Sequence, residues 1–290
     1  MRLSAAGKPP FRSDSLASSR AIGLDSAVRI RSRIPVALTI AGSDSGGGAG
    51  IQADLKTFAS LGVHGTSAIT CLTAQNPKAV TAIQPCSPEM VRMQIEAIFA
   101  ELPPAAVKTG MLLTSSIIRT VAGFFQGRKR PPLIIDPVMI ATSGRCLLRP
   151  SAMKILQREL FPLATLITPN LDEARFLSGL RIESPEDMRT AARRLHSQFG
   201  CAVLVKGGHL RGGAEAIDIL FDGRTELLLK APFIRGVRTH GTGCTYSAAI
   251  TAQLARRVDL TSAVRLAKEY ITHAIAQIHR AGKHDVLNHG

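Results

Sequence analysis

Apolar residues along this chain follow two different rhythms. Short runs rich in Val, Ile, Leu and Thr, at 36–40, 66–73, 107–109, 133–136, 166–168 and 202–206, predict strands buried on both faces. Between them the apolar positions recur every three or four residues, as along one face of a helix: Ile51, Leu55, Phe58 and Leu61 before Gly62, then Val91, Ile95, Ile98 and Leu102. Further helices are predicted over 115–126, 151–160, from 169–173 onward, from 184 to 199 and from 259 to 281. Ser87 and Ser184, each followed by proline, and Asp259 are natural N-caps for three of them. The rhythm changes once, where 216–221 and 225–229 flank Asp222-Gly223, a hairpin signal. Six strand-to-helix steps with short connections predict a single α/β domain: a mostly parallel central sheet covered by helices on both faces, with a small antiparallel hairpin closing one side.

In such sheets ligands bind beyond the carboxyl ends of the strands. Asp44, Gln75, Met111, Val138, Asn170, Lys206 and Gly241 all follow predicted strand ends, and together they carry a recognisable chemistry. Gly241 and Gly243 relax the backbone just before a run of small residues up to Ala255, so the unpaired N–H groups of a new helix can converge on an anion there. Thr242 lies between them. Cys244 stands at that helix mouth, where a thiol's pKa is expected to fall and its sulfur to act as base or nucleophile. Lys206, beside two glycines at a strand end, is placed to meet polyphosphate. Asn170 and Glu173, three residues apart on one helical face, can hold waters around magnesium, or can simply favour their own helix start. Gln75 offers a donor and an acceptor side by side, which suits the ring-nitrogen and amino edge of an aminopyrimidine. Met139 is expected in the core and His209 is expected to be structural.

Composition narrows the classes that remain. The 290 residues, 45% hydrophobic and 20% charged, are those of a globular protein with a substantial core, and no apolar run approaches the roughly 18 residues a membrane helix needs. Five cysteines without a C-x-x-C pair fit a reducing compartment and show no zinc site. The net charge of +15 does not indicate nucleic acid, because Trp is absent and Tyr occurs only twice, leaving no stacking platform. Part of that charge sits in residues 1–33, where seven Lys or Arg face two Asp, and this segment is expected to be a disordered tail, either a transit peptide or a start-site extension. Residues 34–282 are expected to form the domain and 283–290 a polar tail. The glycine cluster at 46–50 fits neither common phosphate motif: Ile51 stands where G-x-G-x-x-G needs its last glycine, and no Gly-Lys-Ser/Thr follows.

The motifs are more specific in combination. Ala-Gly-Ser-Asp-Ser-Gly-Gly-Gly-Ala-Gly-Ile-Gln-Ala-Asp-Leu-Lys (41–56), Thr-Ala-Gln-Asn (73–76), Lys-Thr-Gly-Met-Leu (108–112), Asp-Pro-Val-Met (136–139), Thr-Pro-Asn-x-x-Glu (168–173), Val-Lys-Gly-Gly-His (205–209) and His-Gly-Thr-Gly-Cys-Thr (240–245) occur in this order. The chain thereby resembles the ribokinase-like superfamily and, within it, the hydroxymethylpyrimidine and phosphomethylpyrimidine kinases of thiamine biosynthesis. The resemblance covers residues 36–280 and implies a three-layer αβα sandwich, two successive transfers from ATP with Mg2+, a homodimer and a cytoplasmic setting, unless the tail directs import into an organelle. It implies that Gly42, Asp54, Gln75, Met111 and Val138 line a pyrimidine pocket, that Lys206, Thr168 and Asn170 face ATP, that Asn170 and Glu173 organise magnesium, and that Gly241, Thr242 and Gly243 form an anion hole. Cys244 then occupies the place where the wider superfamily usually has an aspartate base. The alternatives are a pyridoxal kinase of the same fold, a catalytically silent ATP-binding regulator and, more remotely, a Cys-dependent hydrolase.

Overall fold

The computed structural model describes residues 33–127, 129–139, 148–208, 210, 214–236 and 240–290. The expectations for the N-terminal tail, Cys146 and His209 fall outside these residues. Nine strands form one sheet: β1 (Val36–Asp44), β2 (His64–Asn76), β3 (Ala79–Pro85), β4 (Ala106–Thr109), β5 (Leu133–Ile135), β6 (Leu166–Ile167), β7 (Ala202–Gly207), β8 (Glu215–Phe221) and β9 (Glu226–Pro232), in the order β3-β2-β1-β4-β5-β6-β7-β8-β9. From β2 to β7 every neighbouring pair is parallel, while β3, β8 and β9 run antiparallel at the two edges.

Continuous apolar strands follow from a sheet covered on both sides, since alternate side chains enter opposite cores. Leu38, Ile40, Leu133, Ile135, Val203 and Val205 face one core, against helices α2 (Pro88–Glu101), α3 (Ser115–Phe125), α4 (Pro150–Ile155), α5 (Leu171–Ser178) and α6 (Pro185–Phe199). Ala37, Ile134, Ala202 and Leu204 face the other, against α1 (Gly50–Ser60), α7 (Thr242–Ala255) and α8 (Leu260–Ala276). Every residue of α7 from Thr245 to Ala255 is buried, which explains its small side chains: Ala248, Ala249 and Ala252 let α1, α8 and the sheet approach closely. The three layers match the sequence expectation. Ser87, Ser184 and Asp259 each cap their helix by accepting a backbone N–H.

Three local features differ from the expectation. The strand expected at 66–73 runs on to Asn76 and pairs with β3, so Gln75 sits within a two-stranded extension rather than beyond the strand's end. Asn76 closes that extension by accepting the N–H groups of Lys78 and Ala79 around Pro77. The helix expected over 151–160 is α4 followed by a wider-wound turn at Leu156–Leu160. Residues 283–290 are not a tail. After α8, β10 (His279–Ala281) and β11 (His284–Val286) form a hairpin around Gly282, Leu287 returns to the core at 5% exposure, and the His289 carbonyl accepts the Tyr270 hydroxyl. The polar composition of 283–290 concealed a segment held mainly by backbone pairing.

Among the described residues no helix is long and apolar enough to cross a membrane. One ion pair ties the covering helices to the site edge. Asp218 on β8 accepts Gly207 N–H at 2.9 Å and Lys268 Nζ of α8 at 2.7 Å, with the side chains 3% and 10% exposed. Replacing Lys268 by methionine leaves Asp218 as a buried, uncompensated charge, so urea denaturation of Lys268→Met is expected to show a loss of about 3–5 kcal/mol. A loss below about 1 kcal/mol would show that the pair is not needed to hold α8 on the sheet.

Candidate active site

The site is built at the carboxyl ends of the parallel strands, where two glycine segments interlock. Gly241, N-cap of α7, has φ of 89°, and a Cβ built on it would stand 1.7 Å from the Gly48 carbonyl oxygen, so only glycine fits on either ground. Asp44, the last residue of β1, shapes the facing loop by accepting the N–H groups of Gly46 (2.8 Å), Gly48 (3.1 Å) and Ala49 (2.8 Å). Burial pushes its carboxyl up, but bonds from His240, Gly46 and Ala49 outweigh this and hold it below the usual range. In α7 the first N–H to reach back one turn is that of Thr245, to the Gly241 carbonyl at 2.9 Å. The N–H groups of Gly243 and Cys244 precede that ladder, at the positive end of the helix dipole.

Beneath this turn lie buried charges. Lys206 Nζ bonds to Asp136 Oδ1 at 2.8 Å, and a Cβ on Gly243 would be 3.3 Å from the same ammonium. Burial alone would lower Lys206, yet Asp136 and Glu173 reverse this and raise it, so the ammonium stays charged below the anion turn. Thr168 donates to Asp136 at 3.1 Å. A second pair, Lys108 to Asp54 at 2.9 Å, is fully enclosed, with Thr39 donating to the same Asp54 oxygen at 2.6 Å. Burial pushes the Asp54 carboxyl up and Lys108 opposes it, while Lys108 itself is raised because Asp54 outweighs burial. The short contacts fit a charged pair. The other Asp54 oxygen, Oδ1, is a buried acceptor without a partner.

Gln75 lies 2.8 Å from His240 Nε2, and its backbone N–H and carbonyl are both held by the Ser45 hydroxyl at 2.8 Å. Gly42 and Met111 converge on Cys71, whose Sγ would be 2.8 Å from a Cβ on Gly42. Val138, beyond β5, has φ of 45°, a strained conformation for a β-branched residue. Asn170 and Glu173 form a capping box: Asn170 Oδ1 accepts Glu173 N–H, Glu173 Oε2 accepts Asn170 N–H, and Glu173 Oε1 accepts Met139 N–H. Met139 is 1% exposed and lies in the core, as expected.

The expectation for Cys244 is corrected in one respect. Its thiol is pushed up to about 11, because burial and the Asp54 and Asp136 carboxylates outweigh Lys108 and the Gly50 N–H. The helix start does not overcome desolvation here. Near neutral pH the sulfur is a thiol.

A family model described as phosphomethylpyrimidine kinase matches residues 44–288. The chain belongs to the phosphomethylpyrimidine kinase family. It is 51% identical over 247 residues to the hydroxymethylpyrimidine/phosphomethylpyrimidine kinase of Rhizobium meliloti, covering 84% of this chain and 92% of that protein. It is 47% identical over 253 residues to the thiamine biosynthesis bifunctional protein ThiED of Geobacter sulfurreducens, covering 87% of this chain but only 51% of that protein, so the chain spans about half the length of that relative. A solved ADP complex of Bacillus subtilis pyridoxal kinase superposes with a TM-score of 0.82 at 39% identity, covering 89% of this chain and 98% of the other.

Within this family member, sequence reasoning gave no role to Lys108, Asp136 or His240. A charged residue within or just after a buried strand, as in Val107-Lys108-Thr109 and Ile134-Ile135-Asp136, was the available signal. The raised thiol predicts slow alkylation. Peptide-resolved labelling of Cys244 with iodoacetamide at pH 7.5 is expected to run at least about 100-fold slower than a free thiol and to accelerate steadily toward pH 11. Labelling at pH 7.5 as fast as a free thiol would contradict the assignment.

Proposed function

We propose that the protein transfers the terminal phosphoryl group of ATP first to 4-amino-5-hydroxymethyl-2-methylpyrimidine and then to the resulting monophosphate, supplying the diphosphate for thiamine biosynthesis. The observation that carries this reading is the single residue separating ring reader from anion turn: Gln75 is bonded to His240, and Gly241 follows His240 directly. A flat ring read by Gln75 therefore has its hydroxymethyl arm beside the start of α7. Gly42, Met111 and Val138 line the ring, while Asp54, expected beside them, is wholly enclosed with Lys108 and acts through that ion pair rather than by touching the ring. Lys206, Thr168 and Asn170 face the nucleotide, and the N–H groups of Gly241, Thr242 and Gly243 receive the charge that develops on the moving phosphoryl.

Asn170 and Glu173 already accept backbone N–H bonds, so their remaining lone pairs suit ordered waters better than direct metal contact. Magnesium, which keeps much of its hydration shell, would be held there through water and would neutralise charge on the phosphate oxygens. The relatives' names support the ATP-dependent reaction, and we extend it to a homodimer working in the cytoplasm. Pyridoxal phosphorylation is a second reading, favoured by the close superposition on the Bacillus subtilis pyridoxal kinase. Competition between hydroxymethylpyrimidine and pyridoxal in one ATP-consumption assay separates the two. Absence of turnover with either would point to a silent nucleotide-binding protein.

Cys244 distinguishes the two transfers. An alcohol must lose its proton as the bond forms, whereas a phosphomonoester oxygen is already anionic. With the thiol at about 11, the thiolate fraction rises tenfold for each pH unit below that value. If Cys244 takes the alcohol's proton, kcat for the first transfer climbs between pH 7 and 9 while the second stays nearly flat. Cys244→Ala is expected to lower the first transfer by about 100-fold and the second by no more than about threefold. Equal losses, or a larger loss in the second, would rule out this role.

A further inference from the structure

What Gln75 can read depends on which way its carboxamide faces, and the nitrogen and oxygen of a carboxamide differ little in shape. As placed, Gln75 Nε2 lies 2.8 Å from His240 Nε2 and Oε1 lies 3.2 Å from Thr73 Oγ1, and turning the carboxamide over exchanges the two. The surrounding hydrogens decide between them. The Thr73 hydroxyl has a single hydrogen and two neighbours to give it to; the Ser43 carbonyl, 2.9 Å away on β1, is nearer than the Gln75 atom at 3.2 Å and takes it. It has only lone pairs left for Gln75, so the atom it meets is the amino nitrogen. At the other end, His240 Nε2 lies 3.2 Å from Asp44 Oδ2. Asp44 accepts three backbone N–H bonds and is an acceptor only, so the ring nitrogen facing it carries hydrogen. The same hydrogen is shared with the Gln75 atom 2.8 Å away, which must then be an acceptor, the oxygen. Both ends give the same orientation, which holds for the charged imidazole and for the neutral tautomer with hydrogen on Nε2, the one that the acceptor-only Asp44 selects.

We infer that His240, anchored by Asp44, is a specificity-determining positioning residue that locks the Gln75 carboxamide with its oxygen toward the α7 turn and its nitrogen toward Thr73. This deepens the proposed function and rests on it. After its two protein bonds, Gln75 keeps one N–H and one oxygen lone pair, in a fixed order. The aminopyrimidine matches that order, with its ring nitrogen on the N–H and its amino group on the oxygen. Pyridoxal, superposed through the same hydroxymethyl arm, presents an aldehyde oxygen in place of the amino group and a phenolic hydroxyl in place of the ring nitrogen, which suits the opposite orientation. A locked amide rejects it; an amide free to turn over accepts either ring.

The test measures kcat and KM for both rings and for ATP in the wild type, His240→Leu, His240→Gln and Thr73→Val. His240→Leu removes the donor and is expected to raise KM for hydroxymethylpyrimidine about tenfold, leave KM for ATP unchanged, and lower the preference for the pyrimidine over pyridoxal by about tenfold or more. His240→Gln restores an N–H donor and is expected to keep the preference within about threefold of wild type. Thr73→Val, which removes the other anchor without touching His240, is expected to erode the preference in the same direction and keeps the test decisive if the leucine variant does not fold. An unchanged preference in His240→Leu and Thr73→Val, or equal effects of glutamine and leucine at 240, would overturn the inference. A wild type that does not phosphorylate the pyrimidine would instead reject the proposed function.

Discussion

Gly48 and Gly241 meet with no room for a side chain between them, and the site depends on that contact. The clearance of 1.7 Å to a hypothetical Cβ at position 241 means that the loop after β1 and the turn before α7 are pressed together backbone to backbone. This approach brings the N-terminal donors of α7 onto the strand-end edge. It also sets His240, the residue before the turn, against Gly48, whose hypothetical Cβ would be 3.0 Å from the imidazole Cδ2. Through His240 the β2–β3 extension and Gln75 join the same assembly. Elements remote in sequence thus meet at one place because two residues lack side chains.

Beneath that contact the protein keeps two ion pairs where hydrophobic packing would be the cheaper choice. Asp54–Lys108 is wholly enclosed and Asp136–Lys206 nearly so. Buried pairs are weak contributors to stability, because desolvation consumes most of their attraction. Their value here is electrostatic and positional. In a low-dielectric setting Asp136 keeps the Lys206 ammonium charged and fixed beneath the α7 turn. The same surroundings explain the Cys244 thiol, which sits among two carboxylates and one lysine and is held protonated.

Most of the architecture was legible because strands and helices carry distinct periods, and because each strand end was marked by a short motif. Gln75, Lys206 and Gly241 could be placed on one edge from those periods alone. Other features were not legible for physical reasons. His240 and Gln75 are 165 positions apart, and nothing local to either announces their bond. The hairpin at 279–286 is polar and held by backbone pairing, so it produces no apolar rhythm. The raised Cys244 thiol is not legible either, because a sequence shows the helix start but not the depth of burial, and burial prevails. Asn170 and Glu173 illustrate the converse: their spacing is that of a capping box, and the capping box is what the fold builds.

The central claim is that the turn at Gly241–Gly243 holds the phosphoryl group in flight while Gln75 orients the acceptor ring. A crystal structure of the protein with ADP, aluminium fluoride and hydroxymethylpyrimidine tests it most directly. The account predicts the planar fluoride group within hydrogen-bond reach of the N–H groups at the start of α7, with the pyrimidine amino group on the oxygen of Gln75. A fluoride group bound elsewhere, or a pyrimidine seated without contact to Gln75, would contradict it.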